Sequence, residues 1–194
     1  MNNLVEKITT ETKCAEILIL LGEVTSKDIP SLKKVVPYLL KNKFWLVQAE
    51  IIDIIGVYGI RGFENEISII LNDESRNETV RVYALFALYD LNHKKLHKTL
   101  TEYLEDPCVS LRLAAMCLYY IGTKDRGLLT KITKIVCRKN CNYLHQMSVI
   151  GIFSYYIDIS KNKEIMSLFQ KIYLNARSKG IKKELEKWKN SMVG

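Results

Sequence analysis

The sequence predicts an all-α protein built as a stack of helix pairs with a C-terminal cap, and three observations carry that expectation. Glycine and proline are scarce, 9 and 3 in 194 residues. Sheets of short strands need many turns, so this scarcity favours helices on short connections. Apolar residues recur at three- and four-residue steps, as at Ile67, Ile70 and Leu71, which is the period that lines one face of a helix. A pattern of apolar and small residues also repeats at steps of 33, 31 and 33, from Gln48 to Arg81, Arg112 and His145, the length of a two-helix unit.

In chain order, the first unit, residues 1–24, is the weakest copy and holds TKCAEILILLG, 12–22. The second, 28–59, pairs SLKKVVPYLLKN (31–42) with VQAEIIDIIGVYG around Gln48. The third, 61–92, pairs FENEISIILND (63–73) with VRVYALFALYDLN around Arg81. The fourth, 94–122, pairs KLHKTLTEYLED (95–106) with the helix around Arg112, and the fifth, 124–158, pairs DRGLLTKITKIVCRKN (125–140) with LHQMSVIGIFSYY around His145. Three residues past the last three origins stand Ala84, Ala115 and Ser148, small enough to let neighbouring helices approach closely. One pair cannot bury its apolar face alone, whereas stacked pairs share a core. Residues 160–194 read as a cap of two helices with nine Lys and Arg, and Gly180 is expected to end the first of them.

Asp106 stands six residues before Arg112, and Asp73 eight before Arg81; Asn42 with Gln48, and Lys139 with His145, occupy those places in two other units. This D-x4-[VL]R-x2-A-x2-[AL] pattern resembles the HEAT-repeat family in its short bacterial, PBS-lyase-type form, over roughly residues 11–158. The resemblance implies a right-handed α-solenoid of about five HEAT-like helix pairs, forming a single domain across 1–194. It also implies a structural ladder of Asp73, Arg81, Asp106 and Arg112. The Asp lies in the turn and caps the second helix, where free N–H groups and the helix dipole favour an anion. The Arg pairs with a carboxylate of its own or a neighbouring repeat.

Composition narrows the function. The five Cys (14, 108, 117, 137 and 141) sit mostly in helical pattern, which suits reduced thiols better than a disulfide framework. The opening MNNLVEKITTETKC lacks a signal-peptide pattern, and the longest apolar run, AEILILLG, is too short to span a bilayer; a cytoplasmic protein with no membrane partner is expected. No Gly-rich phosphate loop, HExxH or GxSxG is present, so no catalytic residue and no cofactor is assigned. His93 and His97 are four apart, and Cys137, Cys141 and His145 step by four. The first pair lacks the third ligand a metal needs, and the repeat breaks the chain at RKNCN, so no metal site is assigned. The net charge of +8 is uneven: residues 1–97 carry 12 Lys and Arg against 13 Asp and Glu (−1), and residues 98–194 carry 17 against 8 (+9). The basic half is where an anionic partner is attracted first.

Partners of such stacks dock on the face formed by the second helices. Counted from each origin, positions +2, +5 and +9 are Glu50, Asp53 and Val57; Tyr83, Phe86 and Asp90; Ala114, Cys117 and Ile121; Met147, Ile150 and Ser154. Carboxylates beside aromatics make a protein-docking surface, so Glu50, Asp53, Tyr83, Phe86, Asp90 and Met147 are the candidate protein-binding residues. The expected function is a non-enzymatic protein-binding module. The family resemblance narrows it to a bacterial immunity protein that neutralises a toxin domain. The alternative is nucleic-acid binding, as in the alkylpurine DNA glycosylases, which are similar in size and built from HEAT-like repeats; Asp53 or Asp90 would then serve beside an extruded base. That reading needs Lys and Arg on the docking face, and those positions hold almost none.

Overall fold

The structure is a computed structural model that describes residues 3–188, and it is helical, with no strand among those residues. The last residues of the expected cap, 189–194, and the first two of the chain lie outside the described residues. The helices gather into two compact units, Met1–Leu96 and His97–Gly194. The charge asymmetry of the sequence follows this division, since the residue between the two counts is the neutral His97.

The first unit contains α1 (Asn3–Thr10), α2 (Cys14–Gly22), α3 (Ile29–Leu32), α4 (Val36–Leu39), α5 (Trp45–Val57), α6 (Glu64–Asn72) and α7 (Glu78–Asp90). Within it α2 packs on α5 and α5 on α7, while α4 lies against α5 and α6 against α7. The second unit contains α8, which starts at the division (Leu96–Glu102), then α9 (Val109–Thr123), α10 (Arg126–Val136), α11 (Tyr143–Tyr156), α12 (Lys163–Asn175) and α13 (Lys179–Glu186). There α9 packs on α11 and α11 on α13, while α10 contacts α9, α11 and α12. In each unit a shorter amphipathic helix therefore precedes a longer helix that packs on its own kind.

Amphipathicity explains the division of labour. Helix α10 buries Leu128, Leu129, Ile132 and Val136 and turns Lys131 and Lys134 to solvent, a stripe three and four residues apart. Helix α9 instead buries Leu111, every residue from Leu113 to Leu118, and Tyr120. A helix apolar around most of its circumference has neighbours on several sides, as α9 does.

The expected helix at 31–42 is two single turns, α3 and α4. Pro37 lacks an N–H, and its ring collides with the carbonyl a turn earlier, so a continuous helix through residues 33–37 is excluded. Pro30 and Pro37 instead occupy opening positions of the two turns, where no intrahelical donor is needed. The expected role of Gly180 is also corrected. Helix α12 ends at Asn175, and Gly180 lies in the first turn of α13, where its N–H donates to the Oγ of the N-cap Ser178 at 3.1 Å.

The repeat register is visible in one recurring contact. The fourth residue is Gln48 in α5, Arg81 in α7, Arg112 in α9 and Gln146 in α11. Each reaches back to a backbone carbonyl at the end of the preceding helix or in the turn after it. Gln48 Nε2 donates to Asn42 O and an Arg112 guanidinium N–H to Asp106 O. Arg81 Nε donates to Leu71 O at 2.8 Å and Gln146 Nε2 to Val136 O at 2.7 Å. Helix ends leave carbonyls without intrahelical partners, and these side chains supply the donors.

The ladder thus differs from expectation in its last origin and in the role of its two Asp. In the last copy the origin is Gln146, not His145. The cation that meets the Asp73 carboxylate is Arg76, at 3.1 Å, and Arg76 also donates to Gln48 Oε1 at 2.8 Å. The two Asp order the turn rather than cap the helix: Asp73 accepts from Ser75, and Asp106 accepts from Cys108 N. The N-cap of α7 is Asn77, whose side chain accepts from Thr79 N. Of the small residues, Ala84 and Ala115 are buried, but Ser148 is exposed.

Helices α5 and α7 come close at Gly56. A methyl there would lie 3.0 Å from Ala87 Cα and 3.1 Å from Asp90 Oδ2. Gly56→Ala therefore overpacks a backbone contact and should cost about 1–3 kcal/mol, read as a lower midpoint in urea. The register gives a paired expectation. Gln146→Leu leaves the Val136 carbonyl without its donor and should cost about 1–3 kcal/mol, whereas His145→Ala should stay within about 0.5 kcal/mol. Equal losses in the two would return the origin to His145.

Candidate functional site

The candidate site is built on the adjoining long helices of the first unit. Glu50 and Asp53 are one turn apart on α5, and Tyr83, Phe86 and Asp90 follow at steps of three and four on α7. These spacings place each set on one helix face. All five side chains are half-buried, so they belong neither to the closed core nor to freely solvated surface. Val57, one further turn along α5, is exposed.

Their electrostatics confirm that the two faces meet. Burial holds the Asp53 carboxyl above the ordinary carboxylate range, and the charges of Glu50 and Asp90 push it further in the same direction. Burial also raises the Tyr83 phenol, aided by Asp53 and Glu50. Tyr89 is raised by burial and by Asp90. The Tyr83 and Phe86 rings meet edge to face, with centroids 6.1 Å apart and planes at 84°. The result is a patch in which Asp53 feels the like charges of Glu50 and Asp90, on helices that also carry the paired rings of Tyr83 and Phe86. It offers charge to a partner's Lys or Arg, and ring faces and edges to its apolar or cationic side chains.

In the second unit the residues at the expected positions are largely covered. Ala114 and Cys117 on α9, and Ile150 on α11, are fully buried. Met147, Ile121 and Ser154 are half-buried. The reason on α11 is the register slip: counted from Gln146, the equivalent positions are Ser148, Gly151 and Tyr155, all exposed. Sequence reasoning missed these because His145 imitates a polar origin. The signal that identifies Gln146 is its likeness to Gln48, an amide in the same helical position.

The remaining polar candidates are dispersed. His97 on α8 lies against Tyr119, with ring centroids 5.1 Å apart, while His93 lies in the turn between α7 and α8. Cys137 closes α10, Cys141 lies in the following turn, and His145 is on α11, so the chain does break at RKNCN. All five cysteines are free thiols, and burial alone pushes the Cys117 thiol up. Among the described residues no three His, Cys, Asp or Glu side chains converge to hold a metal, and no helix is long and apolar enough to cross a membrane.

The acidic patch sets a pH expectation. A carboxyl whose folded pKa exceeds its unfolded value contributes stability below the unfolded pKa, and that contribution is lost as pH rises through the folded pKa. At neutral pH the ionised Asp53 is therefore a burden on the fold. Asp53→Asn should raise the thermal midpoint at pH 7, and the gain should vanish as the pH falls below the ordinary carboxylate range. A midpoint lowered at pH 7 would contradict this electrostatic picture. Compared with protein-family models, with curated proteins and with solved structures, the chain matches none of them.

Proposed function

We propose that this chain is a non-enzymatic protein-binding module, a right-handed α-solenoid of HEAT-like helix pairs whose acidic–aromatic face on α5 and α7 captures a basic protein surface. The layered packing within each unit supports the architecture: long helices contact one another, and a shorter helix precedes each. The observation that carries the binding role is the position of Asp53 between the like charges of Glu50 and Asp90, beside Tyr83 and Phe86. Clustered like charges cost stability, and such costs concentrate where a surface serves recognition or chemistry. A partner's Lys or Arg would relieve the repulsion, and the aromatic pair would supply the desolvated centre that dominates binding energy.

In its narrower form the proposal is a bacterial immunity protein that neutralises a toxin domain. Such a role asks only for a rigid, complementary surface, and an acidic face suits a basic toxin. The nucleic-acid alternative is less well supported at this site. The charges that act on Asp53 are Glu50 and Asp90, both negative, and they repel phosphate.

The test is capture of partners by the immobilised protein from lysate of the source cells. A basic protein should be retained by the wild type. Tyr83→Ala with Phe86→Ala should weaken that retention about 30-fold or more, since hot-spot truncations cost about 2 kcal/mol and upward. Asp53→Lys should weaken it as well. Retention indifferent to all three substitutions would remove this face from the proposal. For the narrower form, co-expression should protect cells from the captured partner's toxicity.

A further inference from the structure

The second unit holds an open groove of about 660 Å³ between α9, α10 and the start of α11. Its wall carries Arg112, Lys131, Lys134 and Arg138, and its one acidic residue is Glu105. Glu105 is engaged within the groove: Lys131 Nζ lies 2.8 Å from its Oε1, and this contact, with Arg112 nearby, holds its carboxyl below the ordinary range. Four cations against one carboxylate leave the groove at +3. Lys131 and Lys134 lie three residues apart on α10, and Arg138 follows in the turn after it; all three line the groove. The floor is apolar, from Val109 and Ile135, both half-buried, and the buried Met116.

We propose that this groove binds an acidic peptide segment of a protein partner that carries at least one large apolar side chain. The proposal rests on the protein-binding reading, but it places a second and oppositely charged contact in the other unit. Charge complementarity selects an acidic occupant, and the cations on and after α10 meet carboxylates spaced along a short segment. The floor selects the apolar anchor: the volume is that of a small-ligand site, and Met116 is a side chain that adapts to varied apolar partners. Single-stranded nucleic acid, the other polyanion, is held by aromatic rings on which bases stack, and the groove is lined by no Phe, Tyr or Trp.

The experiment measures fluorescence anisotropy of a labelled twelve-residue peptide of Glu, Asp and Leu with the full chain. Three further probes accompany it: a peptide with Gln in place of the acids, a Glu-only peptide, and a single-stranded oligothymidine. The Glu/Asp/Leu peptide should bind most tightly. Lys134→Glu with Arg138→Glu should weaken it about tenfold or more, and Ile135→Ser should weaken it while leaving the Glu-only peptide unaffected. Arg177→Glu with Lys179→Glu makes the same change in net charge at exposed residues outside the groove's lining and should leave binding nearly intact. Equal loss in the two double variants would show attraction to overall charge and overturn the site. Tighter binding of the oligothymidine through Lys134 and Arg138 would overturn the peptide assignment, as would no binding of the Glu/Asp/Leu peptide. None of these variants touches α5 or α7, so this proposal and the acidic–aromatic face stand or fall separately.

Discussion

Each of α5, α7, α9 and α11 brings one long polar side chain, at its fourth position, back onto a carbonyl of the preceding helix end or turn, and the arrangement of the pairs depends on it. A helix ending inside packed structure leaves carbonyls that water cannot reach, and each uncompensated group costs about 1–3 kcal/mol. Gln48, Arg81, Arg112 and Gln146 supply the missing donors. Because the donor always comes from the same turn of the next helix, the contact also sets how the two helices of a pair face each other. Amide and guanidinium serve alike, since each offers an N–H at the end of a flexible stem. The position therefore tolerates Gln or Arg while the geometry stays the same.

With the pair geometry set in this way, the long helices can be apolar on nearly all sides. Helix α9 buries a continuous run from Leu113 to Leu118, which suits a helix with neighbours on several faces. Where two long helices need to come closer still, the sequence removes the side chain, as at Gly56 against Ala87. Asp90 is drawn into the same contact and so towards Asp53. The close packing at Gly56 and the acidic residues thus lie on the same seam between α5 and α7.

The two units carry their charge differently, and this shapes how each can bind. In the first, carboxylates gather on long helices beside aromatic rings. In the second, the cations line a groove at the shorter helix α10, above an apolar floor. A surface of one sign raises the encounter rate with a complementary partner, while aromatic and aliphatic groups supply the contact that persists after encounter.

The sequence by itself determined that the protein is helical, where the long helices lie, and that one register repeats along them. These follow from local rules: apolar spacing, scarce Gly and Pro, and a polar residue at a fixed helical position. It also placed Glu50 with Asp53 on one face of α5, and Tyr83, Phe86 and Asp90 on one face of α7, because helical spacing orders each set. Only the tertiary structure decided that Gln146 and not His145 is the origin on α11, since either polar residue satisfies the pattern and only the buried carbonyl of Val136 selects between them. It alone decided that Ala114, Cys117 and Ile150 are buried, because burial depends on the neighbours a helix acquires and not on its own period. It alone revealed that Arg76 joins Asp73 to Gln48, and that Arg112 and residues of α10 wall one groove, since side chains distant in sequence come together only when the helices pack.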